Sequence, residues 1–479
     1  SGFYALASHR QAASKYSATG ADFADKTNRL ECGPGYETVK KNDQKLAESD
    51  LESSDAEAWP AYRHDSARTG HATSSLDMAI DKSWQVTLGG RLSSPVIANR
   101  MLIVAAVDHN SIHAIDIDSG LLVWEQIVGG RVDSPPTLSD GLVVFGCADG
   151  QVYCLRQSDG ELVWRFQAAP ADLRTLSHGQ LESVWPVTGS VLVRDGTVYC
   201  TSGRSSFLDG GMYLHRLDLL SGKLLTTVNL NDRDPNTGRQ REETIDDVEL
   251  PGALPDVVVD VGQFIYLRDR VLDFEGVTLQ RYIAHLYCSG GLLDDNWWHR
   301  TSWMWAERNW GRASGWSVMP SIRPSGRILC SDTSTIFGYG RERVKGNTLA
   351  GHRLFRADKA VKELNQEIKN NNVALQAQQT SARVTYHWSH EVPIVVRAMA
   401  LTDQYLIAAG PVMAPEDAGI EEPTFTAESP SALMIFDLED GRELGGLVLP
   451  AQPVFDGMAI AYGKLCLSTV DGNVVCYQP

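Results

Sequence analysis

Short apolar or alternating runs, cut by glycine turns, set the pattern of this chain from about residue 80 onward. MLIVAAV at 101–107, SIHAID at 111–116 and LLVWEQI at 121–127 have strand length and β-branched content. Asp118-Ser119-Gly120 and Ser158-Asp159-Gly160 separate such runs, where a tight turn needs a residue that tolerates positive φ. Asp149-Gly150 sits likewise between VVFGC and QVYCL. The pattern predicts antiparallel strands joined by hairpins.

The pattern also repeats. Gly89-Gly90-Arg91 with Ser94-Pro95 returns forty residues later as Gly129-Gly130-Arg131 with Ser134-Pro135, and Trp84, Trp124 and Trp164 keep the same interval. A period near forty built from four short strands is one blade of a β-propeller. Weaker copies of the turn lie at Asp218–Gly222 and Asp437–Gly441, and Val470-Asp471-Gly472 echoes Ala148-Asp149-Gly150. The recurring Trp reads as a wedge between neighbouring blades rather than as an exposed ring that stacks on a ligand. The last repeat ends without an outer strand, whereas Lys82–Leu88 has the outer-strand pattern and no blade before it. Pairing Lys82–Leu88 with Val474–Tyr477 closes the ring and removes two exposed sheet edges. Counted from about 91, 131, 185, 252, 316, 397 and 453, the blades number seven. The expected fold is all-β: a seven-bladed propeller of four-stranded antiparallel blades, closed by an N-terminal strand, with a helical insertion at about 357–382.

Residues 1–58 are polar and read as an arm or linker remnant, leaving 59–479 for the propeller. The chain opens at Ser1 with no charged-then-apolar leader, so it is expected to be a processed or truncated product from which any secretion signal or upstream domain is missing. A net charge of −17 disfavours non-specific nucleic-acid binding and a polybasic membrane face. No apolar run is long enough to span a bilayer. The eight cysteines form no CxxC or CxxCH motif, which excludes zinc-ribbon and c-type haem readings. They read as small buried hydrophobes, with disulfides as the alternative.

Candidate chemistry concentrates in one segment. Six Trp fall between Trp297 and Trp316, Trp303 among them, beside Asp294, Asp295, His299 and Arg300. Indole faces with nearby Arg, His and carboxylates suit sugars and other amphipathic rings; the same Trp can instead fill an irregular blade, with Asp294 and Arg300 paired structurally. The ends of inner strands would bring Arg91, Arg131 with Asp133, Glu182 with Trp185, Arg204, Asp209, Arg397 and Asp456 to the mouth of the channel. A His base, an Arg facing a carboxylate and an acidic partner suit elimination or hydrolysis of an acidic glycan, which nominates His299, Arg300, Glu182 and Arg204 as catalytic. Trp185, Asp209, Asp294, Asp295, Trp297, Trp303, Arg131 and Asp133 are nominated to hold the ligand. Pairs that merely lock blades together are the competing reading. Asp232-x-Asp234-x-Asn236, with Glu243, imitates a calcium loop but has Thr237 where such a loop needs Gly, so an acidic surface turn competes with calcium.

Trp59-Pro60-Ala61-Tyr62-Arg63-His64-Asp65-Ser66-Ala67-Arg68-Thr69-Gly70, Ser94-Pro95 and the Asp-x-x-Ser-Gly-x-x-x-Trp turns resemble the PQQ-like (quinoprotein-type) propeller repeat family. Gly203–Gly211 and Leu293–Arg300 resemble segments of large planctomycete-type multidomain envelope proteins with such propellers. The resemblance implies an extracytoplasmic location in periplasm or cell surface. The family also holds quinone-dependent dehydrogenases, which implies a quinone with calcium and often a vicinal cysteine disulfide. No adjacent cysteines occur here, so PQQ is not expected. Three functions follow: a ligand-binding or carbohydrate-active envelope propeller; a non-catalytic scaffold for protein or domain assembly; and a quinone-dependent dehydrogenase. Were the chain an enzyme, a polysaccharide lyase or hydrolase would be favoured. Expected partners are a glycan or other polar ligand, an upstream domain or a protein subunit.

Overall fold

A computed structural model of the chain describes residues 29–40, 55–177, 179–234, 236–237, 244–245, 248–249, 257–268, 270–279, 283–288, 303–307, 323–341, 352–360, 384–413 and 425–479. Each repeat becomes a sheet because every strand finds its neighbour next in the chain. In the first blade Val96–Ala98, Met101–Ala106, Ser111–Asp116 and Leu122–Ile127 pair antiparallel in chain order. Strands such as Leu142–Gly146 are buried at every residue. Sheets packed on both faces explain why these runs are continuously apolar rather than alternating.

The blades are joined by one contact that recurs round the ring. Trp84 Nε1 donates to the Ile117 carbonyl at 2.9 Å, Trp124 to Gln157 at 2.8 Å, Trp164 to Leu219 at 2.8 Å and Trp388 to Leu438 at 3.0 Å. Each carbonyl belongs to the turn of the next blade, whose glycine lies under the indole. A Cβ on Gly120, Gly160, Gly222 or Gly441 would stand within 2.7 Å of that ring, and all four have φ between 65° and 73°. Glycine is therefore required twice over, by conformation and by the approach of the Trp. The wedge reading of the Trp holds.

Among the described residues the sheets make eight blades, not the seven expected. After the first come Thr137–Gln167, Leu192–Leu230 and Val258–Leu279. The additional blade follows: a three-stranded sheet of His285–Cys288, Trp303–Ala306 and Ser325–Gly326, which stands before Ile328–His390. It carries no Asp-x-x-Ser-Gly turn, and long stretches part its strands, so the forty-residue count passes over it. Ala398–Leu449 and Pro453–Gln478 complete the ring. The last blade takes its fourth strand from Asp81–Thr87, with Lys82 opposite Tyr477 and Val86 opposite Val474, as the closure argument required. Of the helical insertion expected at 357–382, residues 361–382 lie outside the described residues, and 357–358 belong to the strand His352–Asp358.

Two pieces of the N-terminal region lie on the propeller. Leu30–Cys32 adds a fifth strand to the second blade, with Glu31 opposite Arg165 and Cys32 opposite Trp164. Arg29 donates to the Gln167 and Ala168 carbonyls at 2.8 and 3.0 Å, beside the buried His215, whose Nε2 lies 2.9 Å from that same Ala168 oxygen. The second piece, 55–76, touches all eight blades. Trp59 exchanges 2.7 Å backbone bonds with Ile97, and Pro60 accepts from Leu138. Ser66 accepts from Asp260, Thr69 from Ser331 and Gly70 from Leu401, while Ser74 Oγ accepts from Gly463. Arg68 reaches the Val191 carbonyl of the third blade, and the Arg63 guanidinium lies 4.0 Å over the Trp303 ring of the fifth. The segment follows the innermost strands round the axis in their own order.

Two outcomes test this packing. Trp124→Ala removes an indole that locks two blades, and thermal unfolding should fall by about 3–5 kcal/mol of stability. Burial, and then the charge of Arg29, lower His215 to about 3 from an ordinary 6.5. The unfolded chain takes up a proton below 6.5 that the folded chain refuses. Stability present above pH 6.5 should therefore be lost as pH falls towards 3, and His215→Gln should flatten that limb in denaturant titrations.

Candidate functional site

On one face of the ring the chain enters each innermost strand through the connection from the preceding blade. Two such connections and one loop within the third blade bring charged side chains together. Arg131 and Asp133 follow Gly129-Gly130 at the entry to the second blade. Glu182 lies on the hairpin Arg174–Ser177 with Gln180–Ser183, inserted before the third blade. Arg204 and Asp209 stand on the loop between Thr197–Ser202 and Met212–Asp218.

Arg131 is buried and grips Asp133 with two bonds, 2.9 and 3.1 Å, while its Nη2 also reaches Glu182 at 2.9 Å. The other Glu182 oxygen accepts from Arg204, which also donates to the Ser183 carbonyl at 3.2 Å. Burial opposes the charge on Arg131, but hydrogen bonds and charge from Asp133 and then Glu182 outweigh it and hold its pKa above the ordinary value. Trp185 is buried and donates to the Asp209 carbonyl at 2.9 Å. Burial raises the Asp209 carboxyl, against the pull of Arg204 and Arg233. Of the side chains expected at the mouth, Arg131, Asp133, Glu182, Arg204, Trp185 and Asp209 come together, whereas Arg91 faces Asp108, Arg397 donates to the Pro453 carbonyl and Asp456 is buried against Arg63. Its chemistry is that of a joint: Glu182 bridges one guanidinium of the second blade and one of the third, so neither it nor Asp133 is an uncommitted base.

The remaining nominees fall elsewhere. Trp303 is fully buried beneath Arg63, away from solvent. Asp294, Asp295, Trp297, His299, Arg300 and Glu243 lie outside the described residues. Asp232 is held by Arg270 at 2.6 Å and by Ser206, and Asp234 accepts from the Asn236 and Thr237 amides. Among the described residues no three His, Cys, Asp or Glu side chains gather as a metal site. Nor do they fit the quinone that the repeat family implies: the described cysteines are free and none are adjacent in sequence, and the carboxylates of the mouth are taken by Arg131 and Arg204.

A second cluster was not nominated as a site. Arg63 and Asp456, 393 residues apart, pair at 2.7 Å in full burial, and the Tyr62 hydroxyl donates to Asp456 at 2.9 Å. Burial opposes the Arg63 charge, yet Asp456 holds its pKa above the ordinary value. Arg68, also fully buried, donates to the carbonyls of Val258 at 3.0 Å, Tyr62 at 3.1 Å and Val191 at 3.4 Å, and burial lowers it to about 10. The chain signalled it only in parts: two arginines in Trp59–Gly70, a motif read for resemblance alone, and Asp456, expected at the mouth but buried against Arg63. Asp456→Asn leaves the Arg63 cation buried without its counter-charge and should cost about 3–5 kcal/mol in chemical denaturation, with the fold otherwise retained.

Residues 66–250 match the family model described as outer membrane protein assembly factor BamB. No curated protein matches the chain. Among solved structures it is similar to the quinohemoprotein alcohol dehydrogenase of Comamonas testosteroni, with 13% identity, 92% of this chain and 83% of that chain covered, and a TM-score of 0.50. It is likewise similar to the quinohemoprotein alcohol dehydrogenase ADHIIG of Pseudomonas putida HK5, with 10% identity, 93% and 82% covered, and a TM-score of 0.50. BamB of Moraxella catarrhalis follows at 11% identity, 84% and 98% covered, and a TM-score of 0.37. At such identities the likeness speaks to the fold alone. The indole-docked glycine turns and the closed ring agree with that partial match: over residues 66–250 the chain is similar to the PQQ-like propeller repeat family.

Proposed function

We propose that the propeller is a non-catalytic scaffold of the cell envelope that docks a protein partner beside its channel mouth. The observation that carries this reading is the hairpin of Glu182. Leu176 and Leu181 stand directly opposite each other on it, 73% and 59% exposed, with Leu173 at its base and Leu208 exposed on the neighbouring loop. Large apolar side chains held out in water mark interaction surfaces. The opposite face of the same hairpin is fixed by the Arg131–Glu182–Arg204 joint, so the leucines are presented on a rigid base, which lowers the ordering cost of association. The match to a model described as an outer membrane assembly factor agrees in kind and favours an extracytoplasmic location. Among the described residues no helix is long and apolar enough to cross a membrane, which leaves β-barrel spans aside. A glycan-active alternative draws less support, because the carboxylates at the mouth are committed and Trp303 is buried.

The test is purification of the native chain without denaturant, followed by light scattering. The wild type should run in a complex larger than its own 52.5 kDa. A Leu176→Asp, Leu181→Asp variant should run alone with an unchanged melting curve. A wild type that runs alone, or that cleaves an acidic glycan, overturns the reading.

A further inference from the structure

The arm at Leu30–Cys32 is an example, inside this chain, of strand addition at the rim of a blade. It adds antiparallel to Leu162–Gln167, and Gly33 and Gly35 then donate to the Val163 and Leu162 carbonyls at 2.8 and 3.0 Å. A Cβ on Gly33 would lie 2.1 Å from the Leu162 oxygen, so only glycine passes there. Glu31 pairs with Arg165 across the added strand. Covered in this way, Val163 and Phe166 are buried.

The first blade has the same rim, one repeat earlier. LVWEQI at 122–127 corresponds position by position to LVWRFQ at 162–167. Its inner edge pairs with Ser111–Asp116, and among the described residues no strand pairs with its outer edge. Val123, the counterpart of the fully buried Val163, is 46% exposed; Leu122 is 48% and Ile127 70% exposed, and Leu121 adds to the patch. A bare, apolar outer strand is a template for pairing with another chain. The two rims differ in charge: Glu125 stands where Arg165 stands, and its side chain is exposed.

We propose that Leu122–Ile127 is a docking edge for an extended segment of a partner protein, which adds as a fifth antiparallel strand. The segment has a basic residue opposite Glu125 and a glycine two residues later. The charge makes the choice of occupant. The arm of a second copy would set Glu31 against Glu125, a like-charge cross-strand pair, whereas Lys or Arg makes a favourable one. The glycine follows from the geometry at Gly33, because Leu122 offers its carbonyl as Leu162 does. This edge is separate from the leucine hairpin, and Leu176→Asp with Leu181→Asp leaves it intact, so the two readings fail independently.

The probe is a labelled synthetic peptide of residues 29–40, unaltered or with Glu31→Lys, titrated under reducing conditions into the full chain and followed by fluorescence anisotropy. The Glu31→Lys peptide should bind roughly tenfold more tightly than the unaltered one. Glu125→Arg in the chain should reverse that order; the second blade already carries Arg at the equivalent position, so the substitution suits the fold. Adding Gly33→Val to the peptide should abolish binding. Equal affinity of the two peptides, no reversal in Glu125→Arg, binding that survives Gly33→Val, or no binding by either peptide would each overturn the proposal.

Discussion

A ring of sheets has no hub of its own, since each blade packs only on its two neighbours. In this protein residues 55–76 supply one. Their backbone hydrogen bonds reach innermost strands round the circle, and two buried arginines extend the reach to strands far apart in sequence. Guanidinium groups can occupy such a dry place only when nearly all their donors are met. Arg63 meets that demand with a carboxylate and a ring face, and Arg68 with backbone carbonyls from three segments. The position of each innermost strand, and with it the entry of every connection at the mouth, depends on this threaded segment.

The mouth inherits that rigidity. Arg131, Glu182 and Arg204 tie the second blade, the inserted hairpin and the third blade into one block. Charges so fully compensated leave little for general acid–base work and much for holding a surface in place. Paired polar groups below and bare leucines above suit a protein that presents a surface.

Legibility in the chain followed sequence distance. Trp84, Trp124 and Trp164 and their glycines recur at a constant interval, and the missing outer strand of the last repeat pointed straight to Lys82–Leu88. The blade around Trp303 was invisible for the opposite reason, because its strands obey no interval and no Asp-x-x-Ser-Gly turn marks it in the sequence. Tyr62, Arg63 and Asp456 were unreadable as a unit, since nothing local links residues almost four hundred apart. Charges at the mouth were legible as a group but not as a closed set of pairs: composition tells which groups meet, and geometry tells which are spent on one another. Trp303 illustrates the same gap, as a high density of indoles says nothing about which of them faces water.

The closing strand carries a consequence for biogenesis. Asp81–Thr87 emerges from the ribosome almost four hundred residues ahead of Asn473–Gln478, the strand it must join. Until that late partner arrives, an early piece of chain is synthesised, and where export applies also transported, with its hydrogen-bonding edge uncommitted. Blades can form one by one in the meantime, but circular closure waits until Asn473–Gln478 has been made. A factor that shields extended chains during that interval would act first on this stretch.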